Sequence, residues 1–157
     1  MVGLQYDPQT EAYLLGAIFA DPARIWEVRQ IVRASDFAVP RAEAVYRMMC
    51  DVADAGTTVS PIAVNDRATQ AGRGHEFPIA YPHELAGLDV YGYQAMEFAE
   101  IVRRHGERRR LSEAAGAIHA LAAEGDGGAD IVEQAATIIA ELRSDTLRQS
   151  RPIGAVG

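Results

Sequence analysis

Four histidines, a lone cysteine, a glycine cluster and a run of arginines are the residues of this 157-residue chain whose types invite chemistry. His75-Glu76 and His83-Glu84 make its one His/Glu cluster, the kind of side chains that hold a hydrolytic zinc ion when two histidines stand one helical turn apart beside a third ligand. Pro78 and Pro82 interrupt any common helix across that stretch, so solvated loop residues are expected there and no metal site. Gly125, Gly127 and Gly128 follow no strand-like pattern and precede no Gly-Lys-Ser or Gly-Lys-Thr. All fifteen basic residues are arginine, and without lysine a Walker-type ATPase motif is excluded. His105 and His119 lie 14 residues apart in one helical pattern and read as polar surface. No serine or cysteine has a histidine at a recognisable nucleophile spacing. Catalytic residues, cofactor and metal are therefore all expected to be absent.

Arg103, Arg104, Arg108, Arg109 and Arg110 form the basic patch, suited to an acidic partner or a nucleic-acid backbone. Glu97, Glu100, Glu107 and Glu113 stand at helical spacings to offset it, which makes it ordinary surface charge. The net charge of −7 and a pI near 5.0 argue against a general nucleic-acid-binding surface, and no direct specific nucleic-acid binding is expected. Cys50 cannot form an internal disulfide and falls in an apolar helical pattern, which predicts a buried thiol in a reducing cytoplasm. The N-terminus lacks the basic start and apolar run of a signal peptide, and Ala12–Ala20 is too short to cross a bilayer.

The elements that position these residues are all helical. An apolar fraction of 48% with 24% charged residues excludes disorder and allows a real core. Pro8 starts a helix that is apolar nearly all round through Ala20, as suits the centre of a bundle. Asp21-Pro22 ends it, and Ile25, Trp26, Val28 and Ile31 recur at helical spacing through Arg33. Phe37 reads as a core plug, and a third helix runs from Pro40 to Ala55, closed by Gly56. Ser60 and Pro61 cap and start a fourth, ended by Gly72, and a short fifth covers Tyr81 to Leu88 with its start blurred by Pro78 and Pro82.

The last third predicts two helices folded back around Glu124–Gly128. The first, Tyr93 to Ala123, would be roughly 45 Å long. Phe98, Ile101 and Val102 occupy one side of it, and Leu111, Ala114, Ala115, Ile118 and Leu121 nearly the opposite side. Its beginning should pack on the preceding bundle and its end on the second helix, where Asp130 is the expected N-cap ahead of Ile131, Ala135, Ile138, Ile139 and Leu142. Two helices cannot cover both apolar stripes, so the hairpin is expected to pair with a second copy through Leu111, Ala115, Ile118, Leu121, Ile131, Ala135, Ile138, Ile139 and Leu142. The expected fold class is all-α, a globular helical bundle (1–90) followed by a long antiparallel helical hairpin (91–149), with 150–157 a linker or flexible tail.

The order of these elements resembles the N-terminal domain of the bacterial replicative DNA helicase of the DnaB family. The likeness rests on EAYLLGAIFADPARI, SDFAVPRAEAVYRMMCDVADAG, TVSPIAV, YPHEL and FAEIVRRHGERRRL, and no gap is needed from Glu11 to Val64. Leu15-Gly16-Ala17, Asp21-Pro22, Asp36-Phe37, Asp54-Ala55-Gly56, Val59, Tyr81, Glu84-Leu85 and Ala99-Glu100-Ile101-Val102 stand at the family's motif positions. The departures are Ala42 for a histidine, Ser60 for an aspartate and Pro82 for a leucine, the last in the short helix before the hairpin.

The resemblance implies a non-catalytic module. Its hairpins pair, three pairs form the collar of a hexameric ring, and the collar docks the helicase-binding domain of primase or a helicase loader. Positions that face primase in that family fall near Tyr81 and Ile118, with Ser112 where an apolar neighbour is usual. The alternatives are a stand-alone regulator, inhibitor or loader, of a resident helicase or primase, and a small helical enzyme or metal protein built on the His75 to Glu84 loop. Either way the expected location is the cytoplasm, with no membrane association.

Overall fold

A computed structural model describes residues 7–124 and 130–149, all side chains through 145 among them. The expected turn at Glu124–Gly128, beyond Glu124 itself, and the expected tail at 150–157 lie outside the described residues. Among those residues there are seven α-helices, four short 3-10 turns and no strand. The helices are α1 (Pro8–Ala20), α2 (Ile25–Arg29), α3 (Pro40–Asp54), α4 (Pro61–Gln70), α5 (Ala80–Ala86), α6 (Ala95–Glu124) and α7 (Asp130–Gln149). The chain divides into two compact units, Met1–Gly106 and Glu107–Gly157.

In the first unit the helix starts are set by local chemistry. The Asp7 carboxylate accepts the N–H groups of Gln9 (3.0 Å) and Thr10 (3.3 Å) ahead of Pro8, and the Ser60 hydroxyl accepts the N–H of Ala63 (3.1 Å) ahead of Pro61. Gly56 and Gly72 follow α3 and α4 with φ of 78° and 71°, the left-handed region that glycine enters without a Cβ penalty. Helix α1 runs through the middle, burying Leu14, Leu15, Ala17 and Ile18 against Val45, Met48 and Met49 of α3 and Leu85 of α5 in one core cluster. Phe37 joins that core as expected, its ring 4.9 Å from Tyr46.

Gly16 of α1 is a close approach: a Cβ there would stand 2.8 Å from the Leu85 carbonyl oxygen. The first turns of α6 belong to this unit, with Ala95, Ala99, Val102 and Gly106 buried, so the compact unit takes in the beginning of the helix that the sequence groups with the hairpin.

Five local expectations are corrected. Helix α2 stops at Arg29 instead of reaching Arg33, because the N–H groups of Gln30 and Ile31 turn back to Glu27 and Val28, three residues away, and tighten the chain out of α geometry. Trp26 is not inward but 52% exposed: on so short a helix the buried face is Ile25 and Val28, and the Arg29 guanidinium lies 5.3 Å from the indole.

Helix α5 spans Ala80–Ala86 and keeps Pro82 in its first turn, where the missing N–H would have had no helical partner. Asp130 is the first residue of α7 itself, placing its carboxylate in the first turn rather than at the cap. Cys50 is also less enclosed than predicted, half-buried beside Tyr46, and burial pushes its thiol pKa up.

Candidate interaction surfaces

The second unit is built differently. Along α6 beyond Gly106, the half-buried apolar residues are Ala114, Ile118 and Leu121; along α7 they are Ile131, Ala135, Ile138 and Leu142. Steps of three and four put each set on a single stripe. No described side chain from Glu107 to Asp145 is fully buried. Leu111 (59% exposed) and Ala115 flank Ile118 on α6, and Val132 (72%) and Ile139 (54%) flank the stripe of α7 on one side. The nine residues expected to self-associate thus fall into a half-covered group, Ile118, Leu121, Ile131, Ala135, Ile138 and Leu142, and an open group, Leu111, Ala115 and Ile139.

The residues that the resemblance associates with partner contact divide between the units. Ser112 and Ile118 sit on α6 in the second unit, Ser112 exposed. Tyr81 is in α5, 7% exposed, with the Arg41 guanidinium 4.6 Å from its ring. Burial raises its hydroxyl pKa against the pull of Arg41. What Tyr81 offers a visitor is therefore chiefly the Arg41 cation stacked over it.

The remaining candidates resolve into surface. His75, His83 and Glu84 are exposed. Glu76 is taken by Arg73, which donates Nε–H at 2.8 Å and an Nη2–H at 2.9 Å and holds the Glu76 carboxyl below its usual range. Among the described residues no three His, Cys, Asp or Glu side chains gather as a metal would require. In the basic run, Arg103 pairs with Glu100 at 3.0 Å, while Arg104 and Arg108 are exposed. No helix among the described residues is long and apolar enough to cross a membrane.

The sequence reading named Glu11 and Asp36 only within the family motifs and missed what they do. Glu11 is 2% exposed, and its carboxylate accepts the backbone N–H groups of Ala38 (2.9 Å) and Val39 (3.0 Å), fixing the entry to α3. Asp36, fully buried, accepts the N–H of Arg33 at 2.9 Å and lies against Gly106, where a Cβ would come within 2.3 Å of its Oδ1. A carboxylate on the most apolar helix and a glycine inside the longest one are the signals that could have found them.

The described residues thus form an all-helical chain in which the second unit, the smaller of the two, holds no fully buried side chain. The chain belongs to the family described as DnaB-like helicase N terminal domain, whose model matches residues 3–104. It is 29% identical over 110 residues to the replicative DNA helicase DnaB of Leifsonia xyli subsp. xyli (strain CTCB07), covering 69% of this chain. The chain spans about a quarter (24%) of the length of that relative. The crystal structure of the N-terminal domain of DnaB helicase from Mycobacterium tuberculosis superposes with a TM-score of 0.81 at 24% identity, covering 88% of this chain and 99% of the other, which establishes a shared fold. The family is the N-terminal part of the helicase rather than its motor, and the chain is a non-catalytic domain.

Proposed function

We propose that this chain acts as the collar domain of a replicative DNA helicase in the cytoplasm, associating with itself through the hairpin of 91–149 and offering the assembled collar to primase or a helicase loader. The observation that carries this reading is the half-finished second unit. Its apolar stripes are covered only in part, and Leu111, Val132 and Ile139 are open to water beside them. Apolar surface left out of water's reach stabilises at roughly 25 cal/mol per Å², so a second copy laid on these stripes gains what one copy cannot supply. Leu111, Ala115, Ile118, Leu121, Ile131, Ala135, Ile138, Ile139 and Leu142 would form that contact, and Tyr81, Ser112 and Ile118 would face the docked partner. Replacing Ile138 and Ile139 together by Asp should give a folded monomer by light scattering where the parent is a dimer or larger. An unchanged mass for the double variant would remove the hairpin from the interface.

A further inference from the structure

A second surface, wholly within the first unit, is unlike the apolar stripes. The end of α2 and the segment after it through Ala34, the outer face of α3 and the turn after α4 line an open cavity of about 390 Å³ whose walls carry Arg29, Arg33, Arg47 and Arg73. Four of the chain's fifteen arginines thus converge on one hollow in a protein of net charge −7. Two carboxylates share the walls, and each already has a guanidinium: Asp54 takes Arg29 at 2.6 Å, and Asp51 lies 3.7 Å from Arg67. Arg47 and Arg73 are steadied by Glu43 (2.7 Å) and Glu76 (2.8 Å), neither of which lines the cavity.

A guanidinium carries five N–H donors, and these pairs use one or two of them in Arg47 and Arg73, so donors remain for a guest. The Tyr46 hydroxyl, by contrast, is committed to the Val32 carbonyl at 2.9 Å. A cavity of this size falls within the range of about 300 to 1,000 Å³ typical of small-ligand sites.

Preorganised guanidiniums with spare donors recognise tetrahedral oxyanions through paired, charge-assisted hydrogen bonds. We infer that this cavity is a binding site for a phosphate group, either free phosphate or pyrophosphate or the phosphate end of a nucleotide. It is separate from the hairpin and does not rest on the collar reading.

Cys50, the one cysteine, also lines the cavity and reports on it directly. The rate at which iodoacetamide alkylates Cys50 in the full 157-residue chain should fall when phosphate, pyrophosphate or ADP is added at constant ionic strength, and chloride should not reproduce the effect. Protection by phosphate and pyrophosphate assigns a simple oxyanion site, and protection by ADP alone assigns a nucleotide site. Arg47→Ala with Arg73→Ala, both exposed positions, should keep the parent melting curve and raise the concentration needed for protection about tenfold or more, the loss of one or two charge-assisted hydrogen bonds. Arg104→Ala with Arg108→Ala removes the same charge elsewhere and should leave protection unchanged. Absence of protection by all three anions, equal protection by chloride, or equal sensitivity of both double variants would overturn the assignment.

Discussion

Helix α6 carries two glycines ten positions apart, and they stand in opposite circumstances. Gly106 closes the first unit, with no room for a methyl group beside Asp36, whereas Gly116 has nothing within 4 Å of where its Cβ would be. The same contrast holds between the units. In the first, Leu14, Leu15, Val28, Val45 and Met49 are wholly removed from water and polar groups such as Glu11 are matched to backbone donors. In the second, the best-covered side chains are only half-covered and large aliphatic residues face solvent. One unit satisfies its own surface. The other leaves Leu111, Val132 and Ile139 open to water.

Substitutions sharpen or break this contrast, beginning with the largest effect. Leu14→Ala should cost about 2–5 kcal/mol in chemical denaturation, because a cavity opens where the core cannot collapse, while Ile139→Ala should cost under about 0.5 kcal/mol at dilutions where the chain is a monomer. Equal losses would show that the hairpin has a core of its own. Glu11→Ala leaves the part-buried N–H groups of Ala38 and Val39 without their carboxylate acceptor and should cost about 1–3 kcal/mol, read in the same way.

Gly106→Ala forces a methyl group against Asp36 and should destabilise by about 1–3 kcal/mol, whereas Gly116→Ala should stabilise by up to about 1 kcal/mol through helix propensity alone. Thermal melts giving the two alanines the same sign would erase the distinction drawn along α6. The smallest effect is at Asp7, whose carboxyl is held below its usual pKa of 3.8, first by the Thr10 hydroxyl and then by backbone N–H groups. A pKa lowered on folding adds stability above the ordinary carboxylate range that disappears as pH falls through the lowered value. Parent and Asp7→Asn melts should therefore differ most near neutrality and converge once the pH has fallen through the lowered value.

Much of the fold was legible because its signals are local. Pro8, Pro40 and Pro61 start helices, Ser60 caps one, Gly56 and Gly72 follow two, and periodic apolar residues mark which face turns inward. The failures came where a short element is shaped by its surroundings. Periodicity carried α2 past Arg29 and turned Trp26 inward, but a helix of five residues presents only one narrow face to the core. Pro82 looked like a breaker and is tolerated because first-turn N–H groups need no helical acceptor. Tyr81 shows why surface residues resist sequence reading: its apolar ring is as consistent with the core, where it lies, as with a docking face. The arginine-lined cavity was invisible for another reason. Arg29 and Arg47 lie on two helices and Arg33 and Arg73 in the segments after α2 and α4, and no linear pattern brings them together.

The central claim is that the second unit is completed by another copy, and sedimentation equilibrium of the 157-residue chain across rising concentrations tests it most directly. The account predicts a mass that climbs to at least twice the monomer's 17.0 kDa, with a melting temperature that rises alongside it. A mass that stays at the monomer value throughout, with a melting temperature indifferent to concentration, would contradict it.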